Sequence, residues 1–213
     1  MTTLKNKAYI AVGSNLISEG NSPLDTVLRV IQKLIFVVAS ADANSAEVSQ
    51  FYDTPAFPAD SGANFVNAVV AVSSGLSAEE ILAKLHEIEL NFGRVRDQRW
   101  GARVIDLDLL SFQDEVRPTR DVYEVWKDLP LETQKTTTPS ELILPHPRLQ
   151  DRGFVLLPLC DIAPNWRHPY LGKTARELCD ALPLAQKKDA KVIKDAKIQA
   201  FFDENPRLLP CNP

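Results

Sequence analysis

Cysteine and long apolar runs are scarce in this sequence, and each shortage excludes a class of protein. The three cysteines, Cys160, Cys179 and Cys211, match no zinc-ligand spacing, so we expect free thiols in a reducing compartment rather than a disulfide framework. No apolar run approaches the roughly 18 residues of a membrane span, and the first residues lack the apolar core of a signal peptide. We therefore expect a cytoplasmic protein without a membrane partner.

Glycine-based nucleotide motifs are also missing. The 213 residues include only eight glycines, and neither a G-x-x-x-x-G-K-[ST] loop nor a G-x-G-x-x-G fingerprint occurs, so a nucleotide would have to be held by side chains. Positive charge is not in excess either, because 24 lysines and arginines stand against 28 acidic residues. This balance argues against nucleic acid as a partner, and a bound anion would need a local basic cluster.

Basic residues do cluster immediately before a pair of aspartates. The arginines of residues 94–103 are Arg94, Arg96, Arg99 and Arg103. Asp106 and Asp108 follow on a strand predicted over residues 104–112, where side chains two positions apart share a face. Two neighbouring carboxylates need a cation, and Mg²⁺ is usually held by one or two carboxylates together with substrate phosphates, which arginine forks also bind. The alternative is two solvated aspartates beside ordinary surface arginines.

Hydrophobic periodicity predicts an α+β fold. Strands are expected over residues 9–12, 46–52, 64–72 and 104–112, and helices over 23–38 and 78–92, the latter ending at Gly93. The resulting βαββαβ order is that of a ferredoxin-like antiparallel sheet. Helices should cover one face of this sheet, leaving the other face for a ligand or for further elements.

The second half of the sequence is harder to interpret. Residues 113–141 are polar and proline-rich, which predicts a long insert with a short helix near residues 122–127. Further helices are expected over 152–162 and 174–181, together with a charged helical patch at 190–202 to which the sequence attaches no role. We therefore expect one domain over residues 1–186 and a C-terminal tail over 187–213.

Two further positions admit two interpretations each. Phe65 and Asn67 should share a strand face, either as an ordinary core phenylalanine beside a buried amide, or as an aromatic plate and a polar group that suit a flat heteroaromatic ring. His146 stands between two prolines and close to Arg148 and Arg152. It has no second metal ligand at a suitable spacing, so we expect either a phosphate contact or a surface histidine.

Eight short motifs, taken together and in order, resemble a known family. They are AYIAVGSNL (8–16), FYDTP (51–55), NFVN (64–67), GRVR (93–96), RWGAR (99–103), DLD (106–108), LPHPR (144–148) and RGF (152–154). From about residue 8 to residue 164 the sequence resembles 6-hydroxymethyl-7,8-dihydropterin pyrophosphokinase of folate biosynthesis. The resemblance implies transfer of the β,γ-pyrophosphoryl unit of ATP to the pterin hydroxymethyl group, with release of AMP.

The resemblance also implies a role for particular residues. Asp106 and Asp108 would hold two Mg²⁺ ions, and Arg94 and Arg103 would act on the phosphates. The pterin-binding residues would be Thr54, Pro55, Phe57, Phe65, Asn67, Trp100 and Phe154. The ATP-binding residues would be Glu89, Arg94, Arg96, Trp100, Arg103, Leu109, His146 and Arg152. Considered alone, Glu89 also fits a solvated charge on a helix.

Two departures from the family pattern and two other functions have to be considered. Asp97 stands where some members carry a basic residue, and Phe65 where others have tyrosine. Polymerase palms place paired aspartates on a ferredoxin-like sheet too, so a nucleotidyltransferase is the alternative enzyme. An RNA-binding module shares the element order but requires exposed aromatics that these strands lack. We expect a monomer that binds ATP and a pterin.

Overall fold

A sheet lies at the centre of the computed structural model, which describes residues 6–40, 45–56, 62–93, 103–206 and 208–210. Within those ranges the strands are β1 (Asn6–Ser14), β2 (Ala46–Val48), β3 (Tyr52–Thr54), β4 (Phe65–Ser74), β5 (Asp106–Phe112), β6 (Lys191–Val192) and β7 (Leu209–Pro210). Strand β1 pairs antiparallel with β4 and β5, and β4 pairs antiparallel with β2 and β3. The order along the sheet is β5-β1-β4-β2-β7; the pairs among β5, β1, β4 and β2 agree with the predicted antiparallel sheet, whereas β7 runs parallel to β2.

The strand predicted over residues 46–52 is divided into β2 and β3. The pairing moves from Val48 opposite Val70 to Tyr52 opposite Asn67, so the β2–β3 side holds one residue more than β4 does. The hydroxyl of Ser49 accepts a hydrogen bond from the amide of Val69 at 2.9 Å in place of a backbone carbonyl. A one-residue shift turns the following side chains to the opposite face of the sheet.

Eight helices occur in the described ranges, and several begin where the sequence predicts. They are α1 (Pro23–Val38), α2 (Ala78–Asn91), α3 (Arg120–Lys127), α4 (Leu131–Thr136), α5 (Gly153–Ile162), α6 (Ala175–Ala181), α7 (Leu184–Asp189) and α8 (Ala196–Glu204). Ser22 and Ser77 form capping boxes with the carboxylates of Asp25 and Glu80, and these bonds satisfy backbone N–H groups at the starts of α1 and α2. None of these helices is long and apolar enough to cross a membrane.

Each face of the sheet has its own apolar core. Helices α1 and α2 pack on one face, where Val27, Ile31 and Leu85 are inaccessible to solvent. On the other face, α5 packs against β4, and Leu156 and Val69 are buried there. The face predicted to be left for a ligand or for further elements is therefore partly covered by α5.

The predicted insert and tail both pack on the rest of the chain. In the insert, Arg117 and Leu144 exchange backbone hydrogen bonds of 2.8 and 3.2 Å, and the ring of Tyr123 on α3 is fully buried. The short helix α4 was not predicted, because its residues carry no apolar periodicity. In the tail, β6 pairs with β3, β7 pairs with β2, and Phe201 of α8 is buried in the core beside α1.

Candidate active site

A pocket opens on the α5 side of the sheet, beyond the first turn of that helix. Its lining combines acidic, basic, aromatic and small residues, which come from β1, β3, β4, β5 and α5 and from the loops beside them. They are Ala11, Gly13, Asn15, Thr54, Pro55, Phe65, Asn67, Arg103, Asp106, Asp108, His146, Arg152, Phe154 and Val155. Ten of these positions were predicted from the sequence as substrate or metal residues.

The two aspartates share one face of β5, as the alternation of the strand predicts. Asp106 lies opposite Gly13 and Asp108 lies opposite Ala11 on the neighbouring strand β1. Because both opposing side chains are small, the two carboxylates face an open space rather than a packed neighbour. A Cβ on Gly13 would lie only 2.8 Å from Oδ1 of Asn67, so a larger residue there would fill the pocket floor.

Positively charged groups surround the two carboxylates. Nη1 of Arg103 lies 2.5 Å from Oδ2 of Asp106, and Nη1 of Arg152 lies 3.8 Å from Oδ2 of Asp108. The four side chains retain between 22% and 35% of their exposure, so these ion pairs are partly solvated and weak. Such pairs can be exchanged for contacts with a substrate at little cost in stability. The two aspartates are thus partly solvated, and each lies beside one arginine.

His146 lines the pocket rather than the outer surface. Its Nδ1 accepts a hydrogen bond from the amide of Arg148 at 3.1 Å, so the neutral ring carries its proton on Nε2, which lies 3.9 Å from Oδ2 of Asp108. Burial, with the nearby charge of Arg152, lowers the pKa of His146 to about 3. The ring is therefore a neutral hydrogen-bond donor at physiological pH.

Aromatic and amide groups form the opposite wall. Phe65 of β4 and Phe154 of α5 both line the pocket, and Phe65 is only partly buried, so the interpretation as a plain core residue is wrong. Nδ2 of Asn67 donates to Oγ1 of Thr54 at 2.8 Å, and both residues are buried. The amide of Asn67 is therefore held in one orientation toward the pocket.

Asn15 was missed as a site residue. The side-chain Oδ1 of Asn15 accepts a hydrogen bond from the backbone amide of Arg103 at 2.7 Å, and its Nδ2 donates to the carbonyl of Ala63 at 3.1 Å. The backbone amide of Asn15 donates to the carbonyl of Arg103 at 3.1 Å. The side chain thus ties the end of β1 to the loops that precede β5 and β4. A polar turn directly after a buried strand was the available signal.

A second missed contact holds α5 against β3. The hydroxyl of Tyr52 lies 3.0 Å from both carboxylate oxygens of Asp161 on α5, and the amide of Gln50 donates to the same carboxylate at 3.2 Å. Burial raises the pKa of Asp161. The contact sets the separation between the strand that carries Thr54 and the helix that carries Phe154.

Two predicted ATP residues do not bring their side chains to the pocket. Glu89 is 2% exposed, and its Oε1 accepts from the amide of Leu107 at 2.8 Å, so the interpretation as a solvated helix charge is wrong. Leu109 is buried in the core beside α1 and α2, on the far side of β5 from the aspartates. Four other predicted residues, Phe57, Arg94, Arg96 and Trp100, lie outside the described residues.

Comparison with known sequences identifies a family for most of the chain. Residues 9–164 match the family model of 7,8-dihydro-6-hydroxymethylpterin-pyrophosphokinase. A 2-amino-4-hydroxy-6-hydroxymethyldihydropteridine pyrophosphokinase from Pseudomonas aeruginosa is 36% identical over 178 residues, which cover 83% of this chain and 92% of the relative. The enzyme of the same name from Bacillus subtilis is 34% identical over 75% of this chain and 79% of its own length.

Solved structures support the same assignment at the level of the fold. A Plasmodium falciparum HPPK-DHPS structure aligns over 90% of this chain with a TM-score of 0.61 and 15% sequence identity. This chain spans about half of that protein, since the alignment covers 47% of it. The predicted resemblance is thus confirmed by sequence and by fold, and the chain belongs to the 7,8-dihydro-6-hydroxymethylpterin-pyrophosphokinase family.

Proposed function

We propose that this chain performs the reaction of its family, transfer of pyrophosphate from ATP to hydroxymethyldihydropterin in folate synthesis, in the pocket above β5. The observation that carries this proposal is the division of that pocket into two walls. One wall bears two carboxylates among basic groups, and the other bears two aromatic rings beside a fixed amide. A charged phosphate chain and a flat polar ring therefore fit side by side in one cavity.

Asp106 and Asp108 suit Mg²⁺ better than a metal that needs a full set of protein ligands. Among the residues that the structure describes, no group of three or more histidine, cysteine or acidic side chains could hold a metal. Mg²⁺ keeps several waters and takes phosphate oxygens as ligands, so two carboxylates suffice. Asp106 and Asp108 would hold two such ions, whose positive charge would offset the negative charge of the phosphates.

The basic groups of the pocket would position ATP by charge and hydrogen bonding. Arg103 and Arg152 can exchange their partly solvated contacts with the aspartates for phosphate oxygens, which guanidinium forks match. The Nε2–H of His146 can donate to the same oxygens without adding charge. Catalysis by positioning and charge neutralisation is the expected logic of phosphoryl transfer. For Arg94, Arg96 and Trp100, contact with ATP remains a proposal from the sequence, whereas the burial of the Glu89 and Leu109 side chains away from the pocket argues against it for those two residues.

The pterin would lie against the aromatic wall. We propose that Phe65 and Phe154 stack on its ring system and that Asn67, oriented by Thr54, reads a polar edge of the ring. Pro55 lines the same wall. Phe57 and Trp100 complete this assignment as predictions from the sequence.

Several broader predictions also stay proposals. The sheet order and the antiparallel pairing of β1, β4 and β5 support a ferredoxin-like arrangement. The active domain is proposed over residues 1–186, with the insert at 113–141 and the tail at 187–213 as additions. A monomer in the cytoplasm, without nucleic acid or membrane as partner, is proposed from composition.

Product analysis of single variants tests the assignment. With ATP, Mg²⁺ and hydroxymethyldihydropterin, Asp106→Ala and Asp108→Ala should each lower AMP formation by at least about 100-fold, since groups that stabilise developing charge contribute about that much. Asp114→Ala, an exposed aspartate just beyond β5, is the matched control. Turnover like that of the native chain in either pocket variant would contradict the metal assignment. Release of pyrophosphate instead of AMP would favour the nucleotidyltransferase.

A further inference from the structure

Helix α5 begins between two residues of the pocket. Arg152 is its N-cap residue and makes no side-chain capping hydrogen bond, and Phe154 is the second residue of the helix. Between them stands Gly153, whose amide is one of the N–H groups that a helix leaves without an internal partner at its start. The way in which this first turn is held therefore sets the positions of the Arg152 guanidinium and the Phe154 ring.

The missing cap comes from α7, more than thirty residues further along the chain. Oε1 of Gln186 accepts a hydrogen bond from the amide of Gly153 at 2.7 Å. Nε2 of the same side chain donates to the carbonyl of Asp151 at 3.3 Å. One amide side chain thus binds the backbone on both sides of Arg152, with the acceptor and the donor each matched to its partner.

Gly153 allows this approach because it has no side chain. A Cβ at that position would lie 2.9 Å from Oε1 and 3.0 Å from Cβ of Gln186. Since the nearer part of the glutamine side chain is also too close, rotation of its end would not relieve the overlap. A larger residue at position 153 would therefore displace Gln186 from its present position.

We propose that Gln186 is a positioning residue for the reaction, which holds Arg152 toward Asp108 and Phe154 in the aromatic wall. This inference rests on the function proposed for the pocket. Gln186 lies beyond residues 9–164, the part of the chain that matches the family model. The proposal therefore gives the part of the chain after the family match a role in the reaction. Gln186 is not among the residues that line the pocket.

Three substitutions in the full chain separate hydrogen bonding from bulk. Gln186→Met keeps the length of the side chain and removes both hydrogen bonds. Gln186→Glu keeps an acceptor for the amide of Gly153, at a helix N-terminus that favours negative charge. Gly153→Ala displaces Gln186 by overlap. Gln32→Met, at an exposed glutamine of α1, is the matched control. Pterin affinity, kcat and KM for both substrates, and the urea midpoint of unfolding would be measured for each variant.

We expect Gln186→Met and Gly153→Ala to lower kcat/KM for the pterin by up to about tenfold, the range that loss of a helix cap represents. The kcat/KM of Gln186→Glu for the pterin should stay within about twofold of the native value. The double variant Gly153→Ala/Gln186→Met should lose no more activity than the more affected single variant, because both substitutions disrupt the same contact between Gln186 and the start of α5. Native-like activity in Gly153→Ala, or equal losses in Gln186→Met and Gln186→Glu, would overturn the proposal. If Gln186→Met does not fold, the other two variants decide. A native chain that forms no AMP would instead refute the proposed function.

Discussion

Gly13 leaves no space for an added carbon on the floor of the pocket. A Cβ there would lie 2.8 Å from Oδ1 of Asn67 and 3.7 Å from Cδ1 of Phe65. The amide of Asn67 cannot turn away freely, because its Nδ2 donates to Thr54 at 2.8 Å. Gly13→Ala must therefore move strand β1 or break the hydrogen bond between Asn67 and Thr54.

Either response has a free-energy cost of similar size. Overpacking a tight site costs about 1–3 kcal/mol, and a buried polar group that loses its partner costs about the same. If Asn67 is the side chain that moves, this cost weakens pterin binding, and each loss of about 1.4 kcal/mol raises the dissociation constant about tenfold. We therefore expect the pterin dissociation constant of Gly13→Ala to rise by about 5- to 150-fold. The KM for ATP should change less, because Asn67 belongs to the aromatic wall.

Calorimetric titration with the pterin and urea unfolding would measure the two parts of this cost. Gly75→Ala is the matched control, since a Cβ there meets no atom within 4 Å. The reasoning also requires that Gly13→Ala add little further loss in an Asn67→Ser background, where the obstructing amide is gone. A Gly13→Ala chain with the native pterin affinity and the native unfolding midpoint would refute it.

Two further predictions concern support of the site and stability against acid. Asn15→Ala should lower the free energy of unfolding by about 1 kcal/mol and reduce kcat, because the Arg103 amide and the Ala63 carbonyl lose their partly buried hydrogen-bond partner. Asn91→Ala on an exposed helix end is the control, and equal effects would contradict this role. Burial lowers the pKa of His168 to about 4, and its Nδ1 accepts hydrogen bonds from the backbone amides of Tyr170 and Leu171 at 3.2 Å each. The ring is therefore neutral in the folded protein. As pH falls below about 6.5, this histidine becomes protonated in the unfolded chain before it does in the folded chain. By about pH 4 the free energy of unfolding of the native chain should therefore fall by about 3 kcal/mol, a loss that His168→Asn lacks. An equal change in urea midpoint between pH 7 and pH 4 in the two chains would contradict this.

Local signals predicted the strand that carries the two aspartates and the helices that pack behind it. The alternation of aspartate with apolar residues places Asp106 and Asp108 on one face of β5 whatever the neighbouring strands are. In the same way, Ser22 and Ser77 mark the starts of α1 and α2 because a capping hydrogen bond spans only three residues. Family resemblance then named most of the residues that line the pocket.

Features that depend on distant contacts could not be predicted. Periodicity indicated one strand over residues 46–52, whereas the extra residue before Tyr52 turns Thr54 to the pocket face. Glu89 looked like a surface charge because helical spacing does not reveal that a strand amide lies within 2.8 Å of it. The tail was left without a role, since nothing in its sequence indicates that β6 and β7 extend the sheet.

Three properties of this protein follow from its sequence alone: two carboxylates on one strand face, a basic segment before them, and the motifs of its family. These properties depend on residue type and on short spacings, which a strand or a helix turns into geometry without outside help. Tertiary structure decided how the chemistry is held, through Asn15 at Arg103 and Gln186 at Gly153. Contacts between residues 33 or 88 positions apart exist only once the chain has folded, because tertiary folding and not local spacing brings them together.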